Sequence, residues 1–329
     1  MVETLVLTAS DVTRCLPPAD CRLAIERGFA LLARGQVAAP RSIGFESRGG
    51  SFHCKAAVFD AERPRFVAKL NGNFPENPSL RGLPTIQGVV MLADAGDGRP
   101  LALMDSGALT AIRTAGASAV AAAHLARRDA TIVAIVGCGL QGGAHADALL
   151  ALRPVSEFRL FDLDASRAER LAGRLGAVAG VRARVGHSVA ETTLGAQVIA
   201  TCTTGAAFIL GEDDVSPGAF VAGVGTDNPH KRELHPALMR RARVVVDDLA
   251  QCAAGGDLRH AIAAGLMREA DVHADLGAVV AGLRPGRERD DEILVFDSTG
   301  IALEDAAAAD IAYERARELG LGTVVRFGA

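Results

Sequence analysis

The spacing of hydrophobic and polar positions differs between the first part of the chain and the remainder. Apolar residues at helical spacing predict a helix over residues 18–34, and short apolar runs predict strands near 66–70 and 88–92. Between these strands lies a stretch rich in Asn, Gly and Pro, which favour turns. We therefore predict an antiparallel sheet with long functional loops over residues 38–104, followed by a helix of small residues over 107–126.

From about residue 130 onward, short apolar runs alternate with helical segments. The predicted strands cover residues 131–136, 157–161, 196–202, 219–224, 242–246 and 293–296. The predicted helices include residues 164–175, 234–241 and an Ala-rich segment over 302–319. This alternation predicts an α/β fold with a mostly parallel, doubly wound sheet. We expect the last helix to leave this domain and return to the first one.

The most informative stretch is residues 132–147, where an apolar run ends in a G-x-G-x-x-G motif at Gly137, Gly139 and Gly142. A strand before this motif and a helix behind it are the setting in which it binds a dinucleotide. The three glycines allow, in order, a tight turn, the approach of a pyrophosphate and close helix packing. The backbone N–H groups at the helix start then face the phosphates. An ordinary glycine turn is the alternative.

An acidic residue after the next predicted strand supports the same site. Asp162 lies 25 residues after Gly137, close to the ~20 expected for the acid that binds the ribose hydroxyls. A carboxylate there repels a 2′-phosphate, so the sequence favours NAD over NADP. Arg167 lies nearby and softens that preference, which leaves NADP as an alternative cofactor.

Composition narrows the classes of partner. The chain has 329 residues, 49% of them hydrophobic, and a formal net charge of −4 with scattered positive charge. Nucleic acid is not expected, because phosphate binding needs a basic stripe. No apolar run reaches the length of a membrane span, and the N-terminus does not resemble a signal peptide. The six cysteines lack C-x-x-C spacing, which predicts neither disulfides nor a metal site and fits a reducing cytoplasm.

Several blocks of sequence together resemble the ornithine cyclodeaminase / mu-crystallin family over about residues 38–310. In the first domain the blocks are KLNGNFPENP from Lys69, RGLPT from Arg81 and LTAIRTA from Leu109. In the second domain they are VGCGLQ from Val136, GTDNPHKREL from Gly225 and VFDSTG from Val295. These blocks are specific for the family and much less so for a substrate.

The resemblance implies a Rossmann-type domain that binds NAD(P) and a second, α+β domain that holds substrate and forms a homodimer. We expect residues 1–128, completed by a C-terminal helix within 300–329, to form the substrate-binding and dimerisation domain. Residues 129–299 then form the NAD(P)-binding domain. Family members move a hydride between the cofactor and the carbon that bears an amino acid's nitrogen, so the resemblance implies a small carboxylate-bearing amine or imine as substrate.

Lys69 and Asp227 are the predicted catalytic residues. Lys69 lies near the end of an apolar strand, where burial lowers the pKa of a lysine and suits proton transfer. By similarity, it also lies against the substrate carboxylate and amine. Asp227 follows an apolar run, and ligands bind at the carboxyl ends of parallel strands in such sheets. A surface lysine and a turn or cap aspartate are the alternatives.

Arg41 and Arg113 match the family's carboxylate-binding arginines, which grip a carboxylate through two parallel hydrogen bonds. The alternatives are a surface role for Arg41 and a structural ion pair for Arg113. The resemblance and the strand ends also predict a set of residues around the cofactor: Thr85, Arg113, Thr114, Gly137, Gly139, Leu140, Gln141, Asp162, Thr203 and Ser298. For the polar members of this set, a local turn or cap is the alternative.

Two departures from the family pattern bear on the substrate. Ornithine-cyclising members typically carry an acidic residue where this chain has His53-Cys-Lys55, and that acid suits a distal amine. We expect His53 and Lys55 to contact a neutral or acidic side group instead, with an exposed strand edge as the alternative. His230 replaces a common glycine in the loop after Asp227, which also disfavours the cyclodeaminase.

Three functions therefore remain open. An NAD(P)-dependent amino-acid dehydrogenase or imine reductase is favoured. An ornithine-type cyclodeaminase, which releases ammonia and uses NAD catalytically, is the alternative. A non-enzymatic NADPH- or ligand-binding protein in the manner of a crystallin is disfavoured by the presence of Lys69, Arg113 and Asp227.

Overall fold

A computed structural model describes residues 2–38, 40–60 and 63–328. The strands are β1 Val2–Leu7, β2 Arg41–Ser47, β3 Gly50–Asp60, β4 Pro64–Asn73, β5 Ile86–Asp94, β6 Pro100–Asp105, β7 Ile132–Val136, β8 Glu157–Phe161, β9 Arg182–Val185, β10 Val198–Thr201, β11 Ala206–Leu210, β12 Phe220–Gly223, β13 Arg232–Leu234, β14 Arg243–Val246, β15 Ala274–Asp275, β16 Leu294–Asp297 and β17 Thr323–Phe327. The helices are α1 Ala9–Cys15, α2 Pro18–Ala33, α3 Asn77–Arg81, α4 Ser106–Leu125, α5 Leu140–Leu152, α6 Ala165–Gly176, α7 Val189–Thr193, α8 Pro236–Arg241, α9 Leu249–Gly255, α10 Asp257–Ala263, α11 Leu276–Val280 and α12 Ala302–Leu319.

The chain divides into two compact units. The first unit comprises residues 1–113 and 301–329, and the second comprises residues 114–300. The division falls inside α4, whereas the sequence analysis placed it near residue 128. Small and apolar residues predominate on both sides of Arg113 in α4, so the composition of the helix does not change at the division.

The first unit is built on a sheet with strand order β17-β1-β6-β5-β4-β3-β2. Strands β1 and β6 pair in parallel, and the other neighbours pair antiparallel, which confirms the antiparallel sheet predicted over 38–104. The loop predicted after the first strand is wrong in part. Strand β4 continues to Asn73, and the short helix α3 follows it. Residues 71–73 pair with β3 on one side and β5 on the other, so pairing outweighs the turn preference of Asn and Gly.

The register of β2 to β5 sorts their side chains onto two faces. Ser42, Lys55, Lys69 and Val90 align across the four strands on one face, which we call the helix face because Lys69 contacts α12 there. Ile43, Cys54, Leu70 and Val89 align on the other, which we call the open face. The alanines of α12 are buried, as are Leu303 and the α2 residue Gly28 that packs against it, so this helix belongs to the core of the first unit.

The second unit contains a parallel sheet with strand order β15-β14-β16-β12-β10-β7-β8-β9. Each neighbouring pair runs parallel, which confirms the predicted Rossmann-type, doubly wound sheet. Strand β7 lies between β8 and β10, so the strand order reverses there, and ligands bind at such a switch point in open α/β sheets. A separate parallel pair joins β11 and β13.

Candidate active site

The glycine turn after β7 has the geometry that the motif requires. Gly137 adopts a φ of +93°, and a Cβ there would lie 2.7 Å from the carbonyl oxygen of Cys202. A Cβ on Gly142 would lie 2.1 Å from the carbonyl oxygen of Gly137, so this position needs glycine for the helix to pack against the turn. Gly139 caps α5, and a Cβ there would meet no other atom of the described residues within 4 Å.

The same turn fits a dinucleotide. The first N–H groups of α5, a helix of 13 residues, have no acceptor within the helix and can bind phosphate oxygens. Gln141 Oε1 is buried and has no hydrogen-bond partner among the described residues, whereas Leu140 is exposed. A cavity of about 540 Å³ borders the turn, lined in part by Gly139, Leu140, Arg167 and Arg170.

Asp162 follows β8 and contacts this turn directly. Its Oδ2 accepts a hydrogen bond from the N–H of Cys138 at 2.7 Å, and its Oδ1 accepts one from the N–H of Asp164 at 2.9 Å. The carboxylate therefore lies beside the glycine turn, as a ribose-binding acid does. Arg167 lies on α6 with its Nε 3.4 Å from Asp164.

The carboxyl ends of the neighbouring strands are held together by Glu233, which the sequence analysis missed. This fully buried carboxylate accepts hydrogen bonds from Thr201 Oγ1 at 2.7 Å, from the N–H of Thr203 at 2.6 Å and from the N–H of Gly225 at 2.8 Å. Burial raises the pKa of Glu233. Glu233 follows two charged residues and precedes a leucine, and this local pattern does not predict a buried side chain.

Ser298 and Thr114 are both buried in the second unit. Ser298 follows β16, and its hydroxyl donates to Asp247 Oδ2 at 2.9 Å. Thr203 lies just after the end of β10, as its place after an apolar run predicted, and Ser298, which the family resemblance predicted, directly follows β16. Their roles toward a cofactor stay predictions.

Asp227 lies on the loop after β12 and is exposed. Its Oδ1 lies 2.8 Å from Lys231 Nζ and accepts a hydrogen bond from Asn228 Nδ2 at 3.1 Å. The aspartate is therefore available to solvent and to a ligand, and a lysine balances its charge. Its predicted place after an apolar strand is confirmed, whereas its catalytic role stays a prediction.

In the first unit, Lys69 is buried on the helix face and bonded to an acid on α12. Its Nζ lies 2.8 Å from Asp305 Oδ1, and both side chains are at most 5% exposed. Burial, and after it the charge of Arg113, lower the pKa of Lys69 to about 7, while Asp305 opposes the change. A lysine with such a pKa can both donate and accept a proton near neutral pH.

Arg113 takes part in the same buried cluster. Its Nη1 lies 2.6 Å from Glu304 Oε2, and its Nε lies 2.9 Å from Asp305 Oδ1. An ion pair is the predicted alternative for Arg113, and the structure contains that ion pair. Glu304 and Asp305 were missed, because acids in the first turn of a helix usually face solvent. Their position directly before four alanines was the available signal, because a run of small apolar residues indicates that this part of the helix is buried.

The remaining predicted residues lie apart in the first unit. His53 and Lys55 lie on the helix face, with Lys55 directly opposite Lys69 and His53 Nε2 2.9 Å from Ser51 Oγ. Arg41 starts β2, is exposed and belongs to the set of positions that shares the open face, so the structure does not group it with Lys69. Thr85 is half-buried before β5, and its carbonyl accepts the N–H of Phe74.

Within residues 2–38, 40–60 and 63–328, no group of three or more His, Cys, Asp and Glu side chains could hold a metal ion. Across the same ranges, no helix is long and apolar enough to cross a membrane. The six cysteines are free thiols.

Comparison with known proteins assigns the family. The model of the ornithine cyclodeaminase/mu-crystallin family matches residues 2–320. An alanine dehydrogenase from Archaeoglobus fulgidus is 32% identical over 326 residues, which cover 99% of this chain and 99% of that protein. A solved archaeal alanine dehydrogenase dimer with bound NAD has a TM-score of 0.93 at 32% identity, covering 99% of this chain and 100% of that one. The Δ1-pyrroline-2-carboxylate reductase of Thermococcus litoralis, solved with NADH and L-proline, has a TM-score of 0.92 at 30% identity and covers 98% and 100%. This chain belongs to the ornithine cyclodeaminase/mu-crystallin family.

Proposed function

We propose that this chain is an NAD(H)-dependent oxidoreductase that acts on the C–N bond of a small amino acid or imine. The observation that carries the proposal is Lys69, a buried lysine with a pKa near 7 in a chain whose other unit has a dinucleotide-type glycine turn. The relatives named above are an alanine dehydrogenase and an imine-acid reductase, which supports the same reaction class.

Different groups supply the hydride, supply the proton and bind the substrate carboxylate. The dinucleotide, when bound, supplies the hydride that reduces an imine carbon and takes it back in the reverse direction. Reduction also requires one proton on the imine nitrogen, which Asp227 or Lys69 can deliver. We propose that the substrate carboxylate binds near Lys69 and Arg113, whose charges Asp305 and Glu304 partly neutralise.

Asp162 supports NAD as the cofactor. Its carboxylate lies beside the glycine turn, where it can accept ribose hydroxyls and repel a 2′-phosphate. Arg167, Arg170 and Arg174 line the neighbouring cavity and reduce that repulsion. We therefore propose NAD(H) as the preferred cofactor and NADP(H) as a weaker one.

The helix face favours a substrate with a neutral or acidic side group. Lys55 and Lys69 are direct cross-strand neighbours, and His53 follows on the same face. The Lys55 ammonium would repel the distal ammonium of a substrate bound at this face. This arrangement disfavours ornithine and therefore the cyclodeaminase, which stays the second candidate because the family includes it.

We also propose a homodimer that forms through the open face. Ile43, Leu70 and Val89 form one apolar row there and are 54%, 46% and 48% exposed. Exposed contiguous apolar rows of this kind usually mark an interface. The archaeal relative is a dimer, and a second copy of this chain is the occupant we propose. The free cysteines support a reducing cytoplasm as its location.

The test is a substrate panel. NADH oxidation is followed with 2-oxo acids plus ammonia or methylamine, including pyruvate and oxaloacetate, and with cyclic imines. A parallel assay measures ammonia release from ornithine and lysine. NADH oxidation with an oxo acid and amine, or with a cyclic imine, supports the proposal. Ammonia release without a net change in NADH supports the cyclodeaminase, and no turnover with any compound supports a binding protein.

A further inference from the structure

A buried cluster of four charged residues in the first unit contains two acids to which the proposed reaction assigns no role. Lys69 comes from β4, Arg113 from α4, and Glu304 and Asp305 from the first turn of α12. The two cationic side chains are 5% exposed and the two acidic ones 0% exposed. A charge this far from water is stable in a folded protein only when it is paired, so each acid stabilises the charge of the cation that it contacts.

Asp305 is the member that joins the two cations. Its Oδ1 accepts a hydrogen bond from Lys69 Nζ at 2.8 Å and lies 2.9 Å from Arg113 Nε. Its Oδ2 has no hydrogen-bond partner among the described residues. Glu304 instead contacts Arg113 and accepts the N–H of Ile301 at 3.2 Å, which caps the helix. Lys69 therefore has Asp305, and not Glu304, as the acid that pairs with its ammonium group.

The charges that face Lys69 are unbalanced without Asp305. Arg113 on α4 and Lys55 on β3 both act on it as like charges, and Thr110 Oγ1 lies 3.5 Å from its Nζ. Burial favours the neutral form of Asp305, but Lys69 and Arg113 outweigh it and lower the pKa of this acid. Asp305 is therefore an anion that stabilises the protonated form of Lys69. Burial and the repulsion from Arg113 and Lys55 both destabilise that form.

The choice of lysine at this position is informative in itself. The chain contains three lysines, Lys55, Lys69 and Lys231, among 35 Lys and Arg residues. Two of them are cross-strand neighbours on the helix face, and the third is paired with Asp227. An arginine cannot lose its proton in a protein, whereas a lysine can, so Lys69 can exchange a proton where an arginine could not.

We propose that Asp305 is a positioning residue for the reaction: it holds the Lys69 ammonium at a fixed point on the helix face and sets how readily that group exchanges its proton. The inference rests on the proposed function, because it assigns Asp305 to the same chemistry. Asp305 need not touch substrate, since it acts through Lys69.

The test compares Asp305→Asn with Asp310→Asn. Asp310 lies on the same helix and bonds Arg65 Nε at 2.7 Å, so its substitution also removes an ion pair but leaves Lys69 alone. Protein labelled with [¹³C]lysine gives one side-chain signal for each of the three lysines, and Lys69 is assigned by its loss in Lys69→Arg. The titration of that signal is recorded together with kcat/KM as a function of pH.

We expect Asp305→Asn to move the Lys69 titration to lower pH by about one unit or more. The limb of the kcat/KM profile whose midpoint matches the Lys69 signal in the wild type moves by the same amount. Asp310→Asn leaves both unchanged. An unmoved Lys69 titration in Asp305→Asn, or an equal shift in Asp310→Asn, overturns the proposal.

Asp305→Glu keeps the charge and covers the case in which Asp305→Asn does not fold. The longer side chain displaces the carboxylate, so we expect Lys69 to keep a titration close to that of the wild type while kcat falls at least tenfold. Wild-type kcat and KM in this variant would contradict a positioning role. Because the lysine signal needs no turnover, an inactive wild type rejects the proposed function alone, whereas a Lys69 titration that ignores Asp305 rejects this inference alone.

Discussion

The glycine turn allows a sharp comparison between two adjacent residues of α5. Gly142→Ala places a Cβ 2.1 Å from the carbonyl oxygen of Gly137 and 3.0 Å from Ile135 Cγ2. The same substitution at Gly143 places a Cβ 3.6 Å from Arg174 Nη2, which is ordinary contact. Both variants add one methyl group to one helix, so they differ only in the space that receives it.

The two substitutions should have opposite effects on stability. At Gly142 the helix start has to move by roughly 1 Å, and overpacking of this kind costs about 1–3 kcal/mol. At Gly143 alanine replaces glycine within a helix, which stabilises by about 0.5–1 kcal/mol. We therefore expect Gly142→Ala to have a lower free energy of unfolding than the wild type and Gly143→Ala an equal or higher one, with ~1.5–4 kcal/mol between the two variants. Thermal and urea unfolding measure this difference.

The same displacement should weaken dinucleotide binding. The N–H groups of the first turn of α5 move with the helix start, so we expect the Kd for NADH to rise at least tenfold in Gly142→Ala, measured by the fluorescence of bound NADH. Gly173→Ala on α6 is the binding control, because its Cβ meets no other atom of the described residues within 4 Å. Equal stability of the Gly142 and Gly143 variants, with wild-type Kd in both, would refute the assignment of this turn.

Three further predictions concern other parts of the molecule. Asp227→Asn should lower kcat by about 10²–10⁴ and leave the Kd for NADH unchanged, and turnover within a few-fold of the wild type would contradict its role. Burial and the charge of Glu233 raise the pKa of Asp257 to about 7 from 3.8, so the folded protein binds the extra proton and loses stability as pH rises through that interval. Asp257→Asn removes this loss, so its unfolding free energy relative to the wild type should increase from about pH 5 to pH 8; a constant difference in urea unfolding would argue against it. Leu70→Lys should convert a dimer to a monomer in light scattering, whereas Leu319→Lys, at another exposed leucine, should not; a dimer that survives Leu70→Lys excludes the open face.

Much of the second unit could be predicted from its sequence because short parallel strands and their helices carry local signals. The G-x-G-x-x-G motif predicted the glycine turn, and Gly137 and Gly142 occupy positions where a Cβ would collide with backbone atoms. The run before Asp227 likewise predicted a strand end. These features depend on residues that are close in sequence, so composition and periodicity encode them directly.

The first unit was predicted less completely because its site is assembled from distant segments. The stretch after residue 70 has the composition of a loop, yet pairing with β3 and β5 keeps residues 71–73 in a strand. The same register assigns Arg41 to the positions of the open face, which no local pattern of its exposed strand could indicate.

The sequence by itself determined the two-part organisation, the dinucleotide turn and the choice of Lys69 and Asp227 as candidate residues. Each of these depends on a pattern formed by residues that are close together in the sequence. Only the tertiary structure decided what surrounds them. Asp305 bonds Lys69 across 236 residues of sequence, and Glu233 bonds the N–H groups of Thr203 and Gly225 from a separate strand. A buried charge requires a partner of opposite charge or a hydrogen-bond donor, but that requirement does not say where along the chain the partner lies. The fold makes that selection when it brings α12 onto the sheet.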